Sequence, residues 1–140
     1  MLQADICRET PQNLINEGEK QIQDLLYAVN GMRFAMLCSS DGFELASVSK
    51  RNLDNTGKIA AVGSSILAMV SAFVSEMQLT GCQTITLDAD NGKVILSKIN
   101  HEEYPMLIVI LADSDVLIGN LLYSVKNATK LLASFNTNLI

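Results

Sequence analysis

Few side chains in this 140-residue sequence could perform chemistry. The one histidine, His101, stands beside Glu102 and Glu103 in a polar stretch. Acid–base catalysis and catalytic triads need an imidazole aligned with a nucleophile or a second titratable group. A lone histidine in such a stretch therefore reads as a solvated loop residue. Cys7, Cys38 and Cys82 are odd in number and far apart, which fits neither a disulfide framework nor a zinc site. They read as reduced, mostly buried thiols. No HExxH, GxSxG or CxxC motif occurs. The segment Asp88 to Gly92 (DADNG) begins like a calcium loop. An EF-hand, however, needs Gly at its sixth position and Glu at its twelfth, where this chain has Lys93 and Ile99. Gly57-Lys58 is followed by Ile59 rather than Ser or Thr, so it does not make a phosphate-binding loop. The inventory predicts no catalytic residue, no cofactor and no metal, and hence a protein that is not an enzyme.

What remains is a chain built to pack and to bind. It is 49% hydrophobic, enough for one domain with its own core, and the expectation is a single domain over 1–140 with a core from about 12 to 135. The net charge is -5 and the ten Lys and Arg are scattered, which argues against a nucleic-acid track. The start, MLQADICRET, has neither a basic nor an apolar signal region, so the expected location is the cytoplasm.

Hydrophobic periodicity orders the elements. Thr10-Pro11 opens an amphipathic helix running to Val29, with Leu14, Ile15, Gly18, Ile22, Leu25 and Leu26 on one stripe, and Asn30-Gly31 closes it. Phe34 to Cys38 and Phe43 to Val48 flank Asp41-Gly42, a hairpin signal because tight turns need positive φ. A helix spans Lys58 to Leu79. Cys82 to Leu87 and Lys93 to Ile99 form a second hairpin around Asp90, Asn91 and Gly92. Met106 to Ala112 (MLIVILA) is apolar throughout, as in a strand covered on both faces. Asp113 or Ser114 caps a last helix from Val116 to about Phe135. The predicted fold is α+β in the order α-β-β-α-β-β-β-α: a five-stranded, mostly antiparallel sheet with helices on both faces.

The central helix is unusual in having no charge from Ile59 through Ser75. One side carries Ile59, Val62, Ile66, Leu67, Met69, Val70, Phe73, Val74 and Met77, which reads as the stripe on the core. The other carries Ala60, Ala61, Ser64, Ser65, Ala68, Ser71, Ala72 and Ser75. A solvent face normally bears Lys, Glu and Arg, so a face of Ala and Ser implies a second backbone in close approach. That backbone belongs either to the chain's own first or last helix or to a second copy. A membrane span touches the minimum length, but four serines and a glycine dilute the run and no Lys or Arg cluster flanks it. The expectation is a buried helix and no membrane span.

The capped first helix, the FAMLCSSDGFELAS hairpin, the Ala/Ser-rich helix, the CQTITLDADNGKVILSKI hairpin, the MLIVILA strand and the last helix together resemble the roadblock family of dynein-type light chains. The small bacterial members are the most similar, and the resemblance covers roughly Leu14 to Ala133. It implies a homodimer in which two central helices lie side by side and the sheets join edge to edge. The interface would then comprise Ala61, Ser64, Ser65, Ala68, Ser71, Ala72 and Ser75 with Gln83, Thr84, Ile85 and Thr86. Pairing Cys82 to Leu87 with its twin would also remove an unprotected edge. The implied function is a regulator or adaptor of a small Ras-like GTPase, activating or scaffolding. Arg8, Arg33 and Arg51 stand alone and read as solvated charges rather than an arginine finger. Two alternatives are a light-chain-like adaptor docking a peptide or filament without affecting hydrolysis, and a small-ligand sensor. The sensor is disfavoured by a chain with only three Tyr, four Phe and no Trp to line a pocket.

Overall fold

The computed structural model describes residues 9–50 and 54–138. Its elements are α1 (Gln12–Ala28), β1 (Met32–Ser39), β2 (Glu44–Ser49), α2 (Thr56–Glu76), β3 (Thr84–Ala89), β4 (Gly92–Ile99), β5 (Met106–Ala112) and α3 (Ile118–Ala133). The strands form one sheet in the order β2-β1-β5-β4-β3, and every neighbouring pair is antiparallel. The element order, the sheet and the helices on both faces are those the hydrophobic pattern predicts.

The apolar run of β5 occupies the centre of the sheet because both its faces are covered. Ile108 and Ile110 point into a large core with Leu14, Ile22, Leu25 and Leu26 of α1 and Leu121, Val125 and Leu132 of α3. Leu107 and Val109 point the other way, into a smaller core with Phe34, Met36 and Leu96 beneath Ala60 and Leu67 of α2. Helices α1 and α3 thus lie on one face of the sheet and α2 on the other. Gly18 lets α1 approach closely, since a Cβ there would collide with Leu37 Cδ2.

Several boundaries differ from expectation. Pro11, not Thr10, is the N-cap of α1, and its carbonyl accepts from the amides of Leu14 and Ile15. Helix α3 begins at Ile118 with no side-chain cap. Val116 is buried against Gly31, so Asp113 to Val116 close a turn first, with Val116 N–H donating to the Asp113 carbonyl. Phe43 lies outside β2 and is 61% exposed, because Gly42, at φ 97°, turns the chain before pairing resumes.

Two side chains expected in solvent are engaged. His101 is 7% exposed. Its Nδ1 accepts from the amides of Glu103 (3.2 Å) and Tyr104 (3.1 Å), which leaves the proton on Nε2, donating to the Phe135 carbonyl at 2.9 Å. The imidazole is a structural rivet between the β4–β5 loop and the end of α3, where three hydrogen bonds offset its burial. Arg33 pairs through Nε with Asp113 (2.7 Å), and its Nη2 donates to the carbonyls of Asn91 (3.0 Å) and Ala112 (3.3 Å). It ties the β3–β4 turn to the end of β5. Arg8, Arg51 and Cys7 lie outside the described residues.

Candidate interaction surface

The buried part of α2 is Ala60, Gly63 and Leu67, one strip one residue wide. A Cβ on Gly63 would sit 3.4 Å from Val109 Cγ2 and 3.7 Å from Leu96 Cδ2. The small residues at 60 and 63 therefore bring the helix axis close to its own sheet. At 100° per residue, a helix seated on that strip turns part of its large apolar stripe away from the sheet. Val62 (49%), Met69 (66%), Phe73 (64%) and Met77 (50%) are exposed. The assignment of this stripe to the core is corrected: the sheet takes one edge of it, through Leu67 with Ile59, Ile66, Val70 and Val74 half-buried, and leaves Val62, Met69, Phe73 and Met77 uncovered.

The predicted interface residues divide. Ala61, Ser65, Ala68, Ala72 and Ser75 are exposed, while Ser64 and Ser71 are half-buried. Ser64 Oγ donates to the Ser40 carbonyl of the β1–β2 turn, so its hydroxyl is used within the chain. Neither α1 nor α3 roofs this surface, since both pack on the opposite face of the sheet. The exposed part of α2 is a broad surface in which Val62, Met69 and Phe73 adjoin Ala61, Ala68 and Ala72, without a charge between Ile59 and Ser75. By length and composition α2 would pass for a membrane span, with mean hydropathy 1.7. Here it lies along a sheet.

Strand β3 continues the surface. It is an edge strand, and Gln83, Thr84 and Thr86 are exposed with Ile85 half-buried. Lys98 N–H donates to the Gln83 carbonyl at 2.8 Å, which sets the alternation of the ladder. Ile85 and Leu87 bond to β4, so Thr84, Thr86 and Asp88 turn their backbone N–H and C=O to the open edge. Leu87, 42% exposed, faces α2 across a cleft of about 360 Å³ lined by Ile59, Val62, Ile66, Val94 and Leu96.

Val62, Met69, Phe73, Met77 and Leu87 were absent from the sequence-derived interface. Their signal was present in the helix itself. Gly63, with Ala60 and Leu67, marks a close-approach strip between the two faces rather than on one of them. No cluster of three or more His, Cys, Asp or Glu among the described residues is placed to hold a metal. Cys38 is fully buried; burial, reinforced by Glu44, pushes its thiol up to about 12. Such a thiol is inert at neutral pH.

The sequence matches the Roadblock/LC7 domain profile over residues 19–112. No curated protein matches it. Among solved structures, the gliding protein MglB of Thermus thermophilus superposes with TM-score 0.78 at 15% identity, covering 94% of this chain and 96% of that one. An MglB solved in a tetrameric arrangement gives 0.78 at 16% identity over 94% and 95%. Myxococcus xanthus MglB gives 0.72 at 13% identity over 91% of each chain.

Proposed function

The chain belongs to the Roadblock/LC7 domain family, and on that footing we propose that it is a homodimeric regulator of a small Ras-like GTPase, acting in the cytoplasm through protein contacts rather than through chemistry of its own. The observation that carries this reading is the uncharged surface of α2, where Val62, Met69 and Phe73 stand exposed, with Met77 just past the helix end, beside the unpaired edge of β3. Contiguous exposed apolar surface of this kind marks an interaction site. Two copies related by a twofold axis would bury it isologously, α2 against α2 and β3 against β3. The fold's likeness to MglB structures, one of them tetrameric, supports self-association.

Arg33 is the only arginine among the described residues, and it is held by Asp113, Asn91 and Ala112. It is not free to enter a nucleotide site in trans. An effect on hydrolysis through preferential binding of one GTPase conformation, which orders the GTPase's own switch segments, needs no arginine from this chain. The same engaged arginine favours a second reading, a light-chain-like adaptor that docks a partner and leaves hydrolysis unchanged.

The test mixes the protein with the small Ras-like GTPase encoded nearest to it in the same genome, loaded with GDP or a non-hydrolysable GTP analogue, and measures complex formation and phosphate release. Nucleotide-dependent binding with altered release is expected. Binding with unaltered release selects the adaptor, and no binding in any nucleotide state overturns the reading.

A further inference from the structure

On the face of the sheet away from α2, α3 packs on β4 and stops short of β3, which leaves a groove of about 620 Å³ between them. Its floor is hydroxylated: Thr84 and Thr86 of β3, and Ser97 of β4, which is 3% exposed with its Oγ 3.3 Å from Thr84 Oγ1. Leu122 and Ala133 of α3 make the wall, and one end is closed where Asn100 Nδ2 donates to Gln83 Oε1 at 2.8 Å. Lys126 and Lys130 stand on the rim. Both are exposed, and neither forms an ion pair among the described residues. No carboxylate among the described residues lines the groove. Asp88, beyond Thr86 on the same strand, is paired with Lys93. In a chain of net charge -5, this is a basic pocket on an acidic molecule.

We propose that this groove is a second docking site, which takes an extended acidic segment of a partner protein. Lys126 and Lys130 are four residues apart on one flank of α3, so their stems emerge about 6 Å from each other. Alternate side chains of an extended strand are spaced about 6.6 Å. Two carboxylates at positions i and i+2 of such a segment meet both ammonium groups, and its intervening side chains lie toward Leu122 and the threonine floor. The charge pattern selects a peptide over a nucleic acid. Phosphate-backbone affinity grows with the number of phosphates neutralised, and two lysines on an acidic chain neutralise few, whereas a short acidic peptide needs only two. The groove lies on the opposite face of the sheet from α2, so covering α2 leaves it open; it uses the side chains of Thr84 and Thr86, whereas edge pairing of β3 uses their outward backbone groups, and it does not depend on the GTPase reading.

The experiment titrates isotope-labelled full-length protein with an eight-residue peptide alternating Glu and Val, following backbone amides by NMR. Shifts confined to Thr84, Thr86, Ser97, Lys126 and Thr129, about tenfold weaker binding in Lys126→Gln/Lys130→Gln, and unchanged binding in Lys20→Gln are expected. Amide spectra of the double variant report its fold directly, and both lysines are exposed. The proposal is overturned if the peptide produces no shifts at millimolar concentration or shifts α2 instead. Equal binding of a Lys-for-Glu peptide, or tighter binding of an oligonucleotide of equal charge, also overturns it.

Discussion

Replacing Phe73 with Asp separates the role of α2 in association from its role in the fold. Phe73 is 64% exposed in the single chain, and a phenylalanine side chain offers on the order of 200 Å². Roughly 130 Å² per copy is therefore available to be covered. At about 25 cal/mol per Å², complete coverage contributes about 3 kcal/mol per copy and about 6 kcal/mol per twofold dimer. Coverage of half that area still leaves about 3 kcal/mol, a hundredfold change in dissociation constant. The aspartate adds a charge that would be buried against its twin. Within the chain the same side chain touches little, so the fold should lose no more than about 0.5 kcal/mol. Sedimentation equilibrium across a concentration series gives the dissociation constant, and far-UV circular dichroism with urea titration gives the fold. Tyr123→Asp, at a residue 69% exposed on α3, is the matched control and should leave the mass unchanged. An unaltered dimer constant in the Phe73 variant, or equal dissociation in the Tyr123 variant, refutes the placement of the interface on α2.

Three further outcomes are expected. Thr86→Pro removes an outward-facing amide without breaking the β3–β4 ladder; it should weaken self-association at least tenfold by sedimentation while leaving the urea midpoint of the monomer nearly unchanged. Gly18→Ala should lower stability by about 1–2 kcal/mol in urea titration, although alanine is the better helix former by about 1 kcal/mol, because the added methyl collides with the fully buried Leu37; a stabilised variant would contradict the packing of α1. The Cys38 thiol, raised from 9.0 to about 12 in the folded chain, contributes stability that is complete below pH 9 and is lost as pH rises toward 12, since only the unfolded thiol ionises across that window. Between pH 8 and 10.5 the wild type should lose about 2 kcal/mol more than Cys38→Ala, and equal slopes would refute the burial argument.

Element order, strand count and the central place of Met106 to Ala112 were all legible in the sequence, because periods of 2 and 3.6 and turn residues such as Asp41-Gly42 are local properties of the chain. So was the absence of charge on α2, and with it the inference that this helix meets another surface. The face that α2 presents was not legible. A stripe of Val62, Met69 and Phe73 beside a face of Ala and Ser satisfies either orientation, and only the seating of Ala60, Gly63 and Leu67 on Leu96 and Val109 decides between them. His101 and Arg33 were misread for a related reason. A polar residue in a polar stretch looks solvated until the fold brings the Phe135 carbonyl to one and Asp113 with the Asn91 and Ala112 carbonyls to the other. Sequence thus determined which surfaces this chain makes, since that depends on residues a few positions apart. Tertiary packing decided which of them remain uncovered, since that depends on residues brought together from distant parts of the chain.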